Sequence, residues 1–325
     1  MKKDFGLHKR PPWQENIVAY GYFAGWSLVR RLPLWLTHRI FEKIADVVSR
    51  NGKGPEQLRK NLTRVVGPEN VTRQLVRDSI RSYFRYWLEA FRLPTMQYEH
   101  NLPQRLAAGV AGRSAFDAAL SRGRGVVLAL PHTGNWDMAG AFVVAHYGQF
   151  ATVAERVKPE SLFDAFVEYR NSIGFDVIPL TGGDKPPFPY LKQVLNNGGV
   201  VALLCERDLK NTGVIVDFFG EPASMAAGPA ALARETGATL FAVHSWYQGI
   251  DDGASPNWGL AATHEIEVSD VQSTTQRLAD AFAENIAKTP QDWHMLQPVW
   301  LRDLDPERMN QEQIDALRAH TQEEK

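Results

Sequence analysis

Residues 126–137 are Val126-Val127-Leu128-Ala129-Leu130-Pro131-His132-Thr133-Gly134-Asn135-Trp136-Asp137. An apolar run of strand length leads directly into a histidine and a glycine, and a helical pattern begins at Trp136. A second apolar run, Val200–Leu204, is followed in the same way by Cys205 and Glu206. In an open parallel sheet, ligands and chemistry gather at the carboxyl ends of the strands. These two strand ends are therefore the first candidates for a functional site.

The chain after Gly123 alternates between short apolar runs and helical segments, which is typical of a parallel sheet with crossover helices. The predicted strands are Gly125–Leu130, Phe150–Ala154, Phe175–Leu180, Gly199–Cys205, Thr239–Trp246 and Gly259–Val268. The predicted helices of this part are Trp136–Tyr147, Ser161–Ile173, Phe188–Asn196, Gly228–Thr236 and Ser273–Lys288. The sequence thus predicts the α/β class, with a central, mostly parallel sheet flanked by helices.

The chain before Gly123 has the apolar periodicity of helices. The predicted helices there are Leu32–Val48, Asn61–Val66, Val71–Leu93 and Arg113–Leu120. We expect residues 1–120 to form a helical N-terminal region that associates with a membrane. Residues 121–302 are expected to form a catalytic α/β core that makes one domain with this region, and residues 303–325 a charged tail.

Composition is that of an ordinary globular protein, with 44% hydrophobic and 22% charged residues. The single cysteine, Cys205, cannot form an intramolecular disulfide, so the cytoplasm is the default compartment. The net charge of −1 conceals an asymmetry: residues 1–130 hold 22 Lys or Arg and 10 Asp or Glu, whereas the remainder holds 14 and 27. A basic N-terminal part is drawn to anionic lipid head groups or to nucleic acid, or is only a solvated face.

An uncharged, aromatic-rich run extends from Ile17 to Val29. It is too short to span a bilayer, which takes roughly 20 apolar residues, and Glu15 and Arg30 close it at both ends. No small-residue cleavage site follows it, so we predict neither cleavage nor secretion. The run has the composition of a helix that lies in a membrane interface, and a buried first helix of the domain is an equally good interpretation.

His132 is the candidate general base, because a group that titrates near neutral pH can take a proton from a hydroxyl and return one to a leaving group. A carboxylate bonded to the other ring nitrogen would fix its tautomer. The candidates are Glu206, at the end of another strand of the same sheet, and Asp137, in the first turn of the next helix, which it could also cap. A lone histidine at a strand end is more often structural than catalytic, and two reachable carboxylates favour catalysis.

Other chemistry fits these residues less well. The thiol of Cys205 suggests covalent catalysis, but strand alternation turns it away if Glu206 faces His132, so we predict a core residue. His132, His146 and Asp137 fit no common zinc spacing, and the sequence has no Gly-x-Ser-x-Gly elbow of a serine hydrolase. We therefore predict no metal site and no ordinary hydrolase.

The run from His132 to Asp137 resembles the His-x4-Asp/Glu motif of the bacterial acyltransferases that act on lipid A and on phosphatidylinositol mannosides. A second block is similar to that family as well, namely Ala226-Ala227-Gly228-Pro229-Ala230-Ala231-Leu232-Ala233 followed by Thr236-Gly237-Ala238. The likeness reaches about Leu301. The run Asp292-Trp293-His294-Met295-Leu296-Gln297-Pro298-Val299-Trp300 resembles the actinobacterial mannoside branch, whereas the lipid A branch tends to be more basic and aromatic there.

The resemblance implies transfer of a palmitoyl or similar chain from acyl-CoA to the 6-hydroxyl of a mannose of a phosphatidylinositol mannoside. His132 would be the base and Glu206 its orienting carboxylate, with Asp137 supporting the motif and no acyl-enzyme. Backbone amides at Thr133 and Gly134 could stabilise the oxyanion. The implied location is peripheral, at the cytoplasmic face of the plasma membrane or inner membrane. The implied partners are acyl-CoA, the mannoside and an anionic membrane surface, without nucleic acid and without a cofactor beyond the donor substrate.

The residues implied to bind acyl-CoA are His132, Arg170, Glu206, Thr212 and Glu235. Arg170 could meet a CoA phosphate or could be an exposed helix charge, and Glu155 is its predicted partner. For Thr212 and Glu235, surface roles are equal alternatives. Two further functions stay open beside the mannoside acyltransferase: a lipid A-type lauroyl or myristoyl acyltransferase, and a peripheral lipid-binding protein without catalysis. A thioesterase or hydrolase would differ from both by releasing free fatty acid without a sugar acceptor.

Overall fold

A central sheet organises the molecule. The computed structural model describes residues 25–96, 101–156, 160–249 and 258–323. The strands within these ranges are β1 (Val110–Ala111), β2 (Val126–Leu130), β3 (Phe150–Ala154), β4 (Phe175–Pro179), β5 (Val200–Leu204), β6 (Val214–Phe218), β7 (Glu221–Met225), β8 (Thr239–Tyr247) and β9 (Trp258–Ile266). Seven of them form the sheet in the order β1-β9-β8-β2-β5-β3-β4, and β6 and β7 form a separate hairpin.

The sheet is mostly parallel. Strand β2 pairs in parallel with β5 and β8, β3 with β4 and β5, and β1 with β9, while β8 and β9 are antiparallel. All five residues of β2 are buried, as expected for a strand covered on both faces. The predicted α/β class, with helices around a mostly parallel sheet, is confirmed.

The helices cover both faces of the sheet. Their bounds are α1 (residues 25–31), α2 (Leu34–Val48), α3 (Glu56–Val66), α4 (Arg73–Met96), α5 (Leu102–Ala108), α6 (Arg113–Ser121), α7 (Trp136–Tyr147), α8 (Glu160–Ser172), α9 (Pro187–Asn196), α10 (Gly228–Thr236), α11 (Val271–Lys288) and α12 (Gln311–Glu323). Among the described residues, none of the helices is both long enough and apolar enough to cross a bilayer.

Alternate residues of β2 point into two apolar layers. Val127 and Ala129 pack into the layer formed with α9, α10 and α11, whereas Val126, Leu128 and Leu130 pack into the layer formed with α6, α7 and α8. A period of two residues produces this division, because successive side chains of a strand point to opposite faces. The second layer contains the functional cavity described below.

The first helices pack beside this core. Helix α2 lies along α4, where the guanidinium of Arg81 forms two hydrogen bonds of 2.7 and 2.8 Å with the carboxylate of Asp46. Most of the aromatic-rich run Ile17–Val29 lies outside the described residues. In its described part, Trp26 is buried, stacks on Phe166 and donates to the carbonyl oxygen of Phe91. At Trp26 the run therefore packs inward.

Most predicted elements agree with the structure to within a few residues. The sequence missed the helix α5, the two-residue strand β1 and the hairpin β6–β7. The hairpin turns at Phe219 and Gly220, both with positive φ. Phenylalanine is not among the residue types that favour such a turn, so the sequence did not indicate a hairpin here. The charged C-terminal tail contains the helix α12. The boundaries at residues 120 and 302 stay predictions.

Candidate active site

His132 lies at the carboxyl edge of the sheet because β2 ends two residues before it. The chain then turns sharply at Gly134, whose φ is +52° and whose missing Cβ leaves room for the backbone of Ser245, 2.6 Å from where a Cβ would lie. A side chain there would be strained and would collide with that backbone. The helix α7 begins after Asn135, whose side chain accepts from the amide of Met138 at 3.0 Å. The predicted cap by Asp137 is therefore wrong, since Asn135 fills that position.

Glu206 reaches His132 because their strands are neighbours in register. Leu130 pairs with Leu204, so both functional side chains lie two residues beyond the same rung of the ladder. Nδ1 of His132 lies 2.8 Å from Oε1 and 3.0 Å from Oε2 of Glu206. The backbone amide of His132 also donates to Oε1, at 2.7 Å, and the indole N–H of Trp293 lies 3.4 Å from the same atom. The predicted contact between the two side chains is present.

The electrostatics of this pair favour an ionised Glu206. The carboxylate is fully buried, and burial alone would raise its pKa, but the attraction of His132 and its hydrogen bonds outweigh burial and hold the pKa of Glu206 below its ordinary value. An ionised carboxylate only accepts, so Nδ1 of His132 carries the proton of this bond. In the neutral form of the imidazole, Nε2 is then unprotonated and able to take a proton. The His132 side chain is 35% exposed and lines a cavity.

The cavity has a volume of about 820 Å³ and extends along the sheet beneath α7. Its lining follows that helix from Trp136 to Tyr147, a distance of about 18 Å for 12 residues. Small side chains leave space on both sides of the cavity, namely Ala139 on α7 and Ala154, Ala202 and Ala262 on the sheet. The interior is therefore a largely apolar tunnel, and the imidazoles of His132 and His294 both line it.

Charged groups lie at the same end of the cavity as His132. Arg207 follows Glu206 directly, and Lys210 lies in the next turn; both line the cavity. Asp208 also lines it, but its carboxylate accepts from the hydroxyl of Ser224 and the amide of Gly213, at 3.0 and 2.8 Å. These neutral donors hold the carboxylate of Asp208 in place but do not cancel its charge, so the three groups together carry one net positive charge.

Asp137 is not a partner of His132. Its carboxylate forms hydrogen bonds of 2.8 and 3.1 Å with the guanidinium of Arg170 and one of 3.0 Å with the hydroxyl of Tyr86. Burial would lower the pKa of Arg170, but Asp137 outweighs it and raises the pKa. The pair ties α7 to α8, which agrees with the expectation that Asp137 supports the motif. Arg170 is only 19% exposed, so the alternative of an exposed helix charge is wrong.

The other implied donor residues occupy different places. Glu155 is exposed at the end of β3 and lines the cavity, but the ion pair of Arg170 is with Asp137, so the predicted pairing with Glu155 is wrong. Thr212 is exposed and lines the cavity opening. Glu235 lies outside the lining, in a half-exposed ion pair of 2.8 Å with Lys192. Glu155, Thr212 and Arg170 thus line the same cavity as His132, and Glu235 does not.

The predicted oxyanion donors are already used by the protein. The amide of Thr133 donates to the carbonyl of Pro131 at 2.8 Å, and the amide of Gly134 donates to the carbonyl of Asp292 at 2.9 Å. A donor bound in this way is not aimed at substrate, since its hydrogen is directed at another oxygen. The prediction of an oxyanion hole at these two amides is therefore wrong for this conformation.

Cys205 also lines the cavity, but its surroundings do not suit thiol chemistry. Cys205 is buried with the apolar residues of the layer formed by α9, α10 and α11, and burial raises the pKa of its thiol well above the ordinary value. Nδ1 of His146 lies 3.0 Å from the carbonyl oxygen of Phe142, near the far end of α7. Over the described ranges, no group of three or more His, Cys, Asp and Glu side chains could hold a metal ion.

An aromatic group beside His132 was not recognised as functional from the sequence. The cavity is lined there by Tyr83, Tyr86, Trp87, Trp136 and His294. The first three belong to the apolar stripe of α4, and such a stripe predicts core residues. His294 is held next to His132 because its amide donates to the carbonyl of His132 at 2.8 Å. The sequence signal was the histidine inside the Asp292–Trp300 block. The resemblance of that block indicates a branch of the family but no role for the histidine.

The comparisons with known proteins agree with this geometry. Residues 12–302 match the sequence model of bacterial lipid A biosynthesis acyltransferases. A phosphatidylinositol mannoside acyltransferase of Mycolicibacterium smegmatis is 53% identical over 306 residues, which cover 93% of this chain and 97% of that protein. Proteins of the same name from two strains of Mycobacterium tuberculosis are 51% identical over 296 residues, or 90% of this chain and 91% of each relative. The predicted family is confirmed: this chain belongs to the bacterial lipid A biosynthesis acyltransferase family.

Proposed function

We propose that this protein transfers a long acyl chain from acyl-CoA to the 6-hydroxyl of a mannose of a phosphatidylinositol mannoside, at the cytoplasmic face of the membrane. The observation that carries the proposal is the buried Glu206 bonded to Nδ1 of His132, with the imidazole opening into an apolar tunnel. Acyl transfer to a hydroxyl requires a base that lies beside a cavity large enough for a hydrocarbon chain. The names of relatives at 51–53% identity support the mannoside as the acceptor.

The dyad accounts for the proton balance of such a reaction. Nε2 of His132 takes the proton of the sugar hydroxyl as its oxygen attacks the thioester carbonyl, and the carbon–sulfur bond then breaks. The proton on Nε2 passes to the departing CoA thiolate, which returns the imidazole to its neutral state. Glu206 stabilises the imidazolium between these two steps and keeps the ring oriented. The ester forms directly between donor and acceptor, without an acyl-enzyme.

The cavity supports an acyl-CoA donor in two ways. The tunnel beneath α7 offers apolar walls to the acyl chain, whose burial is favourable in proportion to the apolar area removed from water. Arg207 and Lys210 at the opening offer positive charge to the phosphates of CoA, and Thr212 lies beside them. Arg170 is committed to Asp137 and therefore contributes mainly by holding α7 and α8 together.

An exposed face of α2 supports attachment to the membrane. Trp35, Ile40, Ile44, Val47 and Val48 are all at least 40% exposed, and the last four are spaced to form a stripe along the helix. Arg39 and Lys43 lie exposed among them, and the guanidinium of Arg39 is over the ring of Trp35. Apolar side chains with neighbouring cations match a helix that lies on an anionic bilayer.

The decisive experiment supplies the purified protein with labelled acyl-CoA and, in turn, a phosphatidylinositol monomannoside, a dimannoside, a lipid A precursor or no acceptor. We expect an acylated mannoside by mass. His132→Ala is expected to slow its formation by about 10²–10⁴-fold, while the matched control His146→Ala, whose ring bonds to a helix carbonyl, keeps the rate.

Other outcomes would identify the alternatives. Acylation of the lipid A precursor but not of the mannosides would favour the lipid A-type activity. Free fatty acid released equally with and without an acceptor would indicate a thioesterase. Binding of mannoside vesicles with no turnover, equal in wild type and His132→Ala, would indicate a lipid-binding protein and would overturn the proposal.

A further inference from the structure

His294 is a second histidine in the cavity, and the proposed mechanism leaves it without a task. It is 7% exposed and lines the same cavity as His132. Its amide donates to the carbonyl of His132, next to the bridge that pairs Thr133 with Trp293. The backbones of the two histidines are therefore bound to each other, which keeps the two side chains at the same end of the cavity.

One ring nitrogen of His294 is used by the protein. Nε2 lies 2.9 Å from the hydroxyl oxygen of Ser82, and the same hydroxyl lies 2.6 Å from Oδ1 of Asp292. The other oxygen of Asp292 accepts from the amide of Tyr247 at 3.1 Å. Although burial raises the pKa of Asp292, both bonds favour its ionised, accepting form. The single proton of Ser82 then goes to Asp292, and the hydroxyl oxygen accepts from an N–H at Nε2.

The other ring nitrogen of His294 is buried and has no partner among the described residues. With the proton on Nε2, Nδ1 has a lone pair and needs a donor. Burial, together with His132, lowers the pKa of His294 to about 3, so the ring is neutral and Nδ1 is an acceptor at physiological pH. A buried acceptor without a donor is unfavourable, and in a binding cavity the substrate is a natural donor.

The surroundings of Nδ1 suit a sugar. The rings of Tyr83, Tyr86 and Trp136 lie with centroids 5.6, 6.0 and 5.9 Å from that of His294. The ring of Trp136 also lies 5.3 Å from that of His132, so the two imidazoles border the same indole. A sugar brings apolar C–H faces to such rings and several hydroxyl donors to the nitrogens between them.

We propose that Nδ1 of His294 accepts a hydrogen bond from a second hydroxyl of the acceptor sugar and so holds the reacting hydroxyl against Nε2 of His132. This inference rests on the proposed function and adds to it a binding residue for the acceptor. It also explains how one hydroxyl of a polyol is selected, because a sugar held at a second point has only one orientation at the base.

The test compares His294→Phe, which keeps an aromatic ring but removes both nitrogens, with His294→Asn, which restores a polar group near the position of Nδ1. Initial rates with acyl-CoA and a mannoside separate the two substrates. For His294→Phe we expect kcat/KM for the mannoside to fall by about 10- to 100-fold, while KM for acyl-CoA stays within about twofold. His294→Asn should recover part of the loss.

A second measurement combines altered acceptors with the altered protein. Mannoside analogues that lack one hydroxyl at a time are given to the wild type, and one of the analogues that keeps the reacting hydroxyl should lose about as much kcat/KM as His294→Phe does. The same analogue should lose nothing further in His294→Phe, since both changes remove one bond. If His294→Phe does not fold, the same comparison is made with His294→Asn, in which removal of that hydroxyl should cost less than it does in the wild type.

The outcomes separate the two proposals. A wild type that acylates no mannoside overturns the proposed function and with it this inference. A wild type that acylates the mannoside while His294→Phe keeps its acceptor kcat/KM, or while every remaining hydroxyl can be removed without loss, overturns the inference alone. Equal losses of kcat/KM for acyl-CoA and for the mannoside in His294→Phe would indicate a structural role for His294. This outcome would overturn the inference as well.

Discussion

Glu206 and Asp137 are both buried carboxylates close to His132 in the structure or the sequence, but their partners differ. Glu206 bonds to His132, whose side chain is 35% exposed and opens into the cavity. Asp137 bonds to Arg170, whose guanidinium does not lose its proton under any ordinary condition. A carboxylate can take part in proton transfer only when its partner can exchange a proton with substrate. On this difference we propose a chemical role for Glu206 and a structural role for Asp137.

The largest effect on stability is expected from breaking the structural pair. Asp137→Asn leaves the buried guanidinium of Arg170 without its counter-charge, and removing one partner of a buried ion pair costs about 3–5 kcal/mol. We expect the free energy of unfolding, measured by urea denaturation, to fall by this amount, while protein that remains folded keeps most of its transfer rate. Glu284→Gln, which breaks the exposed pair with Lys288, is the control and should change stability little. A stable Asp137→Asn that is inactive would reverse the assignment.

Glu206→Gln should show the opposite pattern. The amide can donate to Nδ1 of His132, which moves the ring proton to Nε2 and removes the base, so the transfer rate should fall by about 10²–10³-fold. The thermal midpoint near neutral pH should change less than in Asp137→Asn, because the amide still fills the site and keeps a hydrogen bond. Steady-state rates and calorimetry on both variants test whether Glu206→Gln mainly lowers the transfer rate and Asp137→Asn mainly lowers the stability. A fully active Glu206→Gln would contradict the role given to the dyad.

The pH dependence of stability sharpens the same comparison. The pKa of Glu206 is lower in the folded protein than its ordinary value of 4.5, so the folded state binds this proton less tightly than the unfolded state. The ionised group stabilises the fold above about pH 4.5, and the contribution disappears as the pH falls through the lowered pKa. We expect denaturation curves of wild type and Glu206→Gln to converge in acid. A difference that grows as the pH falls would contradict the stated sign.

The sequence predicted the contact at Glu206 but not the contact at Asp137, for a physical reason. His132 and Glu206 each follow an apolar run of five residues, and parallel neighbours in a sheet bring such ends together. Arg170 and Asp137 are on helices α8 and α7, whose relative rotation depends on packing that no local pattern contains. The amides of Thr133 and Gly134 were misjudged similarly, because their acceptors include a carbonyl of Asp292, which is distant in the sequence.

The cavity beneath α7 allows a test of its proposed role in binding the acyl chain of the donor. Ala139 faces the cavity, whereas Ala145 is exposed on the same helix. Ala139→Phe should narrow the tunnel and lower kcat/KM for a long-chain acyl-CoA by about 10- to 200-fold, the range for misfit in an apolar pocket, with a smaller loss for short chains. Ala145→Phe should change neither. Competition between acyl-CoAs of different lengths measures the preference, and an unchanged profile for Ala139→Phe would exclude this cavity as the acyl site.

The smallest expected effect concerns the exposed face of α2. Lys43 lies beside Ile40, Ile44 and Val47, and a basic residue near an anionic membrane contributes about 1 kcal/mol. Lys43→Gln should therefore weaken binding to anionic vesicles about fivefold at low salt and hardly at all in high salt, where the attraction is screened. Lys288→Gln removes the same charge from α11 and should bind like wild type. Equal losses for the two variants would mean that only the total charge matters and that α2 is not the surface that meets the lipid.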